Sequence, residues 1–210
     1  NDLFVIIKSI IGKTKNIRFE GNGYSNEWKD EAAKRGLSNL LNTPAALCVL
    51  ADKNQTQFLV DCGVFSAEDI SSRLVIQRER YIKQCLIEVN CAVEMVATQI
   101  LPASMKYLKL LLKNTKISAE LSITNPAKEL AEECAALVSR VQTTFKNLKN
   151  TLSKLPEDSH HNVEEITFFV SDKLLPKLDL LREAVDSLEA FMPRDMWPII
   201  PYSDMLFGME

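Results

Sequence analysis

The stretch from Ser66 to Asn114 contains no glycine, and its apolar residues recur every three or four positions. Ser66 offers a hydroxyl cap, and two acidic residues follow within three positions, which is the pattern of a helix start. A helix over this stretch holds about 48 residues and is roughly 70 Å long. Pro102 lies inside it and lacks the N–H that a helix interior needs, so we expect a bend near Thr98 to Pro102.

Two further helices are predicted from apolar faces of the coiled-coil type. The first begins at Pro126 and its apolar residues step by three and four: Ala127, Leu130, Cys134, Leu137, Val141, Phe145, Leu148, Leu152 and Leu155. The second runs from Val163 to Met192, with Pro176 as a candidate kink. A connection of about seven residues predicts an antiparallel hairpin that packs on the long helix. These faces could instead hold a partner or a cofactor, although mutual burial in a mainly all-α bundle is the simpler interpretation.

The pattern of the first 65 residues predicts loops and short helices. We therefore expect a domain boundary between this region, 1–65, and a helical bundle with a docking tail, 66–210. Residues 1–11 form an apolar run with no initiator Met. The run is too short to span a bilayer and lacks the features of a signal peptide. We therefore expect it to be the tail of a helix or strand that begins in a longer polypeptide.

Charge and cysteine usage exclude several classes of protein. The chain has 25 Lys and Arg against 28 Asp and Glu, so its formal net charge is −3. This balance is not typical of proteins that bind nucleic acid or membrane surfaces, which carry a basic excess. The five cysteines are odd in number and form no Cys-x-x-Cys pair, which favours free, mostly buried thiols in a cytoplasmic protein.

The candidate reactive groups are few. His160 and His161 could bind a metal with Glu157, Asp158 or Glu164, but a flexible polar stretch of this kind is more often solvated. Glu88 lies near the apolar face of the long helix, where a buried carboxylate could pair with Arg73, Arg78 or Arg80 from another element or subunit, although a solvated face is the simpler interpretation. A local basic strip, Lys106, Lys109, Lys113 and Lys116, is most simply a solvated helix face. No catalytic motif is present, so no catalytic, cofactor-binding or metal residue is predicted.

The last 14 residues combine prolines with large apolar side chains from Trp197 to Phe207. We expect the prolines to prevent a helix here. An apolar terminus of this kind is expected to dock, either on its own bundle or on a neighbouring subunit.

A series of short motifs along the whole chain resembles the C-terminal part of the type III glutamine synthetases. They occur in the same order as in that family: Gly21-Asn-Gly-Tyr-Ser-Asn-Glu-Trp, Thr43-Pro-Ala-Ala-Leu, Gly63-Val-Phe-Ser, Ser72-Arg73, Ile100-Leu-Pro-Ala, Leu175-Pro176, Val185-Asp-Ser-Leu-Glu and Trp197-Pro. No single motif is decisive, but their number and order make the resemblance specific.

The resemblance implies a parent ligase of nitrogen metabolism that joins ammonia to glutamate with ATP and divalent Mg or Mn, through γ-glutamyl phosphate. It also implies a large ring-shaped homo-oligomer in the cytoplasm. The metal-binding and ATP-binding segments of that family lie upstream, and none of their motifs can be placed on this chain. We therefore expect a scaffold and oligomerisation part that is inactive alone. The alternative is a stand-alone, non-catalytic helical interaction module.

Overall fold

A computed structural model describes residues 2–124, 127–157 and 162–208. The described residues form helices joined by turns, with no strand among them, which confirms the all-α prediction. They divide into two compact units, 1–45 and 46–210. The expected boundary between residues 65 and 66 stays a prediction.

The unit of residues 1–45 contains α1 (Asp2–Lys13), a 3-10 turn (Lys15–Ile17) and α2 (Asn26–Lys34). Ser25 caps α2 by accepting a hydrogen bond from the Trp28 N–H. Arg35, directly after α2, donates to the carbonyls of Asn16 and Arg18 at 3.2 Å each. These polar contacts, rather than a large apolar core, hold the turn to the helix.

Two short helices, α3 (Thr43–Ala51) and α4 (Lys53–Asp61), lead to the long helix. Asp52 caps α4 with its carboxylate, which accepts from the Asn54 N–H at 2.9 Å. Gly63 ends this region in the left-handed conformation, with φ +67°, which only glycine adopts without strain.

The predicted long helix is confirmed, and it extends beyond Asn114. It consists of α5 (Ala67–Met95), one π-helical turn (Val96–Ile100) and α6 (Leu101–Glu120). These 54 residues are continuous and about 80 Å long. A capping box begins the helix, because Ser66 and Asp69 each accept the other's backbone N–H at 3.0 Å.

Pro102 is accommodated by the π turn. The Leu101 N–H bonds to the Val96 carbonyl, five residues earlier, instead of the carbonyl four residues earlier. Pro102 itself has no N–H, so it cannot donate a hydrogen bond to the preceding turn. A second π turn, Val170–Leu174, precedes Pro176 in the same way. In both places one wider, π-helical turn replaces an α-helical turn, and the α-helix then continues.

The bundle is completed by α7 (Ala127–Leu152) and by a closing helix, residues 163–191, made of α8 (Val163–Phe169), the second π turn and α9 (Leu175–Phe191). Arg78 pairs with Glu164, and the rings of Tyr107 and Phe191 meet at 6.2 Å. The closing helix therefore runs parallel to the long helix. The predicted start at Pro126 lies outside the described residues, and α7 is described from Ala127.

The core lies where the long helix, α7 and the closing helix meet. Its fully buried side chains come from all three: Val89, Cys134, Val141, Leu148, Val170, Leu174, Ala184 and Leu188. Burying these residues against one another is the main stabilising term of the fold. The apolar faces predicted from spacing are thus used for mutual burial.

The tail differs from its prediction. Residues Arg194–Met196 form a 3-10 turn and Tyr202–Phe207 form a short helix, α10. Pro201 directly precedes α10, a position where the missing N–H of proline costs nothing, so the prolines start this helix rather than prevent it.

Candidate interaction surfaces

The first surface is α1, in which seven of the twelve residues are large and apolar, with Lys8 and Ser9 between them. Its large side chains Leu3, Phe4, Val5, Ile6, Ile7, Ile10 and Ile11 are all exposed, Phe4 by 77%. A 12-residue helix is marginal in water without a packing partner. Exposed apolar surface of this extent is typical of a helix that another polypeptide covers.

The second surface is an open groove between the long helix and the closing helix, which we call the lateral groove. Its volume is about 360 Å³. Met95, Val96 and Ile100 form one wall, and Leu178, Leu181 and Val185 form the other. Ile199 from the tail lies at its edge, and Glu88, Arg182 and Asp186 supply charge at the rim. The groove is therefore apolar inside and charged at its borders.

The third surface is the tail. Trp197 is 7% exposed and joins the core, and Ile199 packs against it, so this part docks on its own bundle. Beyond it, Met205 is 68% and Leu206 78% exposed. Asp204 forms an ion pair with Arg194, which ties α10 to the 3-10 turn. The tail thus both anchors to the bundle and presents apolar side chains outward.

Glu88 lies on a solvated helix face, as the simpler interpretation expected, and the three candidate arginines have other surroundings within this chain. Arg78 is buried, and its Nη1 donates to Oε2 of Glu164 at 3.2 Å. Arg73 lies over the ring of Phe65 at 4.5 Å, and Arg80 is exposed. Glu88 is exposed at the rim of the lateral groove.

The basic strip of α6 is a helix face in contact with solvent. Lys106, Lys109, Lys113 and Lys116 are all exposed. Lys116 lies 3.9 Å from Glu120 in an exposed pair of the i,i+4 type, which contributes little.

The histidine hypothesis falls mostly outside the described residues, because His160, His161 and Asp158 are not among them. Of the other two candidates, Glu157 is exposed and Glu164 pairs with Arg78. Within the described ranges, no three His, Cys, Asp or Glu side chains come together as a metal site would require. The described residues therefore do not fit a metal ion of the kind that the resemblance implies.

The cysteines divide by burial. Cys85 and Cys134 are buried, and burial raises the pKa of both thiols, which keeps them protonated. Cys62 and Cys91 are exposed and Cys48 is half-buried, so the buried interpretation holds for only part of the set. Burial also raises the pKa of Tyr81 to about 12, and Tyr81 hydrogen-bonds with Cys85 and Ser171.

Among the described residues, one helix, Ala67–Glu120, is long and apolar enough to cross a membrane by length and composition alone. The core helices of bundles have the same length and composition, so this feature does not indicate a membrane span. Here Val89, Val96 and Ile100 pack in the core, while Glu88 and Glu94 are exposed on the same stretch.

Sequence reasoning missed the lateral groove. Its two walls are more than 70 residues apart in the chain, and neither contains a motif. The only local signal is the proline after each π turn, which marks a place where a helix departs from regular geometry.

The described residues thus define an all-α domain. The sequence profile of the family described as "Glutamine synthetase C-terminal domain" matches residues 2–118, more than half of the chain. The chain belongs to the glutamine synthetase C-terminal domain family.

Individual relatives agree with this assignment. A glutamine synthetase of Bacteroides fragilis is 29% identical over 98% of this chain and 29% of its own length. A type-3 glutamine synthetase of Dictyostelium discoideum is 27% identical over 96% of the chain and 28% of its own length. A glutamine synthetase of Butyrivibrio fibrisolvens is 29% identical over 98% of this chain and 29% of its own length. The resemblance to the type III enzymes is confirmed, and the chain spans less than a third of the length of these relatives.

Proposed function

We propose that this chain is the C-terminal scaffold and oligomerisation part of a glutamine synthetase. The parent reaction joins ammonia to glutamate at the expense of ATP, with Mg or Mn, and is carried out by a catalytic barrel on the rest of a longer cytoplasmic polypeptide. The chain itself holds that barrel and its neighbours in register within a ring-shaped homo-oligomer.

The observation that carries the proposal is the exposed α1. Seven large apolar side chains on one short helix need a cover, and the relatives contain more than three times the length of this chain. Covering α1 with a catalytic barrel removes this surface from water and fixes the bundle to the barrel. Each fully buried aliphatic side chain contributes about 1.5–3 kcal/mol to such a contact.

The test uses the chain alone and the chain together with the coding sequence that precedes Asn1 in its gene. The chain alone is expected to form no glutamine from glutamate, ammonia and ATP, and the longer protein is expected to form it. In the longer protein, Ile6→Asp should dissociate the assembly, whereas Lys8→Asp on the same helix should not. Glutamine formation by the chain alone, or an unchanged assembly in Ile6→Asp, would overturn the proposal. A start codon close to Asn1, with no barrel encoded before it, would support the stand-alone module instead.

A further inference from the structure

We propose that the lateral groove receives α10 from a second copy of this chain. The inference rests on the proposed oligomerisation role and deepens it, because it names the two surfaces that meet between copies. It concerns only unit 46–210, which contains both of them.

The lateral groove has the size and the apolar lining that a short helix needs to bind through its side chains. Its walls are aliphatic, and its volume of about 360 Å³ is enough for two or three large apolar groups. Met95, on its wall, is 37% exposed, so apolar surface remains open to water. An amphipathic helix seated in an apolar groove between two helices is a recurring mode of recognition.

The tail provides an occupant of matching chemistry. Met205 and Leu206 are adjacent on α10 and are among the most exposed apolar side chains of this unit. Both are unbranched at Cβ and flexible, which suits them to fill an irregular groove.

The occupant comes from a second copy rather than from the same chain. Ile199 already lies at the edge of the groove of its own copy, and the Arg194 to Asp204 ion pair ties α10 beside the 3-10 turn. Held there, Met205 and Leu206 remain outside their own groove. Every copy therefore presents one open groove and one projecting helix. All of these surfaces are occupied when copies bind head to tail in a closed ring, or when two copies insert their α10 helices into each other's grooves.

The test begins with the mass of the full 210-residue chain by light scattering across a range of concentrations. The chain is expected to be larger than its monomer mass of 23.7 kDa, and Leu206→Asp should shift it towards the monomer. Leu121→Asp is the matched control, because Leu121 is also an exposed leucine, 64% in contact with solvent, and lies outside the groove and the tail. It should leave the mass unchanged.

A second measurement separates this contact from association through α1. A fluorescent peptide with the sequence of residues 199–210 should bind the chain, and Met95→Lys should weaken that binding by about tenfold or more. Leu121→Asp should leave the peptide affinity unchanged. A monomeric chain at all concentrations, an unchanged mass in Leu206→Asp, or a peptide that does not bind would each overturn the inference. These failures leave the α1 test of the proposed function intact, since that test reads a different surface.

Discussion

The ion pair between Arg78 and Glu164 joins the long helix to the start of the closing helix, across 86 residues of chain. Arg78 is 7% exposed, whereas the Glu164 side chain is 59% exposed. Nη2 of Arg78 lies 3.1 Å from Oε1 but lacks hydrogen-bond geometry, so the carboxylate charge matters more than a second bond. Replacing Glu164 by Gln keeps the size of the side chain and leaves a buried guanidinium beside a neutral amide.

The expected cost follows from this asymmetry. Breaking a fully buried pair costs about 3–5 kcal/mol, and an exposed pair contributes about 0–1 kcal/mol. With one partner buried and the other largely in water, we expect Glu164→Gln to lower the free energy of unfolding by about 2 kcal/mol. Arg78→Met removes the charge and keeps an unbranched stem for packing, so it should cost about 1 kcal/mol or less. In the Arg78→Met background, Glu164→Gln should cost less than about 0.5 kcal/mol, because no buried charge is left without a partner.

The assay is urea unfolding of the four proteins followed by far-ultraviolet circular dichroism, at low and at high salt. Glu120→Gln is the control, since it breaks the exposed pair with Lys116 and should cost under about 0.5 kcal/mol. The reasoning is refuted if Arg78→Met costs more than Glu164→Gln. It is equally refuted if Glu164→Gln costs the same in both backgrounds.

Three further predictions concern other parts of unit 46–210. The indole N–H of Trp197 is buried with no hydrogen-bond partner among the described residues. In urea unfolding, Trp197→Phe should therefore keep the free energy of unfolding within about 1 kcal/mol of the parent, whereas Trp197→Ala should lower it by about 3–5 kcal/mol. An absorbance titration should show one tyrosine ionising near pH 12 that is missing in Tyr81→Phe. The stability that neutral Tyr81 contributes is full below its ordinary pKa of 10.0 and is lost as the pH rises through about 12. Ser66→Ala should cost about 1 kcal/mol by removing the helix cap. The hydrogen bonds from Ser66 lower the pKa of the Asp69 carboxyl. This carboxylate therefore stabilises the fold at pH values above its ordinary pKa of 3.8, and the stabilisation is lost as the pH falls through the lower pKa of the folded state. Acid unfolding of Ser66→Ala should begin at higher pH than that of the parent.

The fold could be predicted from the sequence wherever its causes are local. The Ser66 cap and the spacing of apolar residues specify the long helix, and the same spacing specifies α7 and the closing helix. Pro102 marks a disturbance of the helix, but a missing N–H does not by itself specify that the preceding turn becomes a π turn.

The contact surfaces could be predicted only in part. The apolar runs of α1 and of the tail are visible in the sequence, because large apolar side chains follow one another closely in both. The lateral groove is not, because it exists only where the stretch around Val96 meets the stretch around Leu181. Arg78 was one of three candidate partners for Glu88, and its pairing with Glu164 depends on a parallel arrangement of helices that no local pattern reveals.

The parallel closing helix also bears on how this family can change over evolutionary time. The family profile ends at residue 118, close to the end of the long helix, yet the helices that cover its buried face begin at Ala127. A lineage that lost residues beyond 118 would leave Val89, Val96 and Ile100 facing water. The relatives align over 96–98% of the chain, so these alignments include both the long helix and the helices that pack on it. Because the three helices bury their apolar faces against one another, we expect a change of side-chain volume in one helix to need a compensating change in its neighbours.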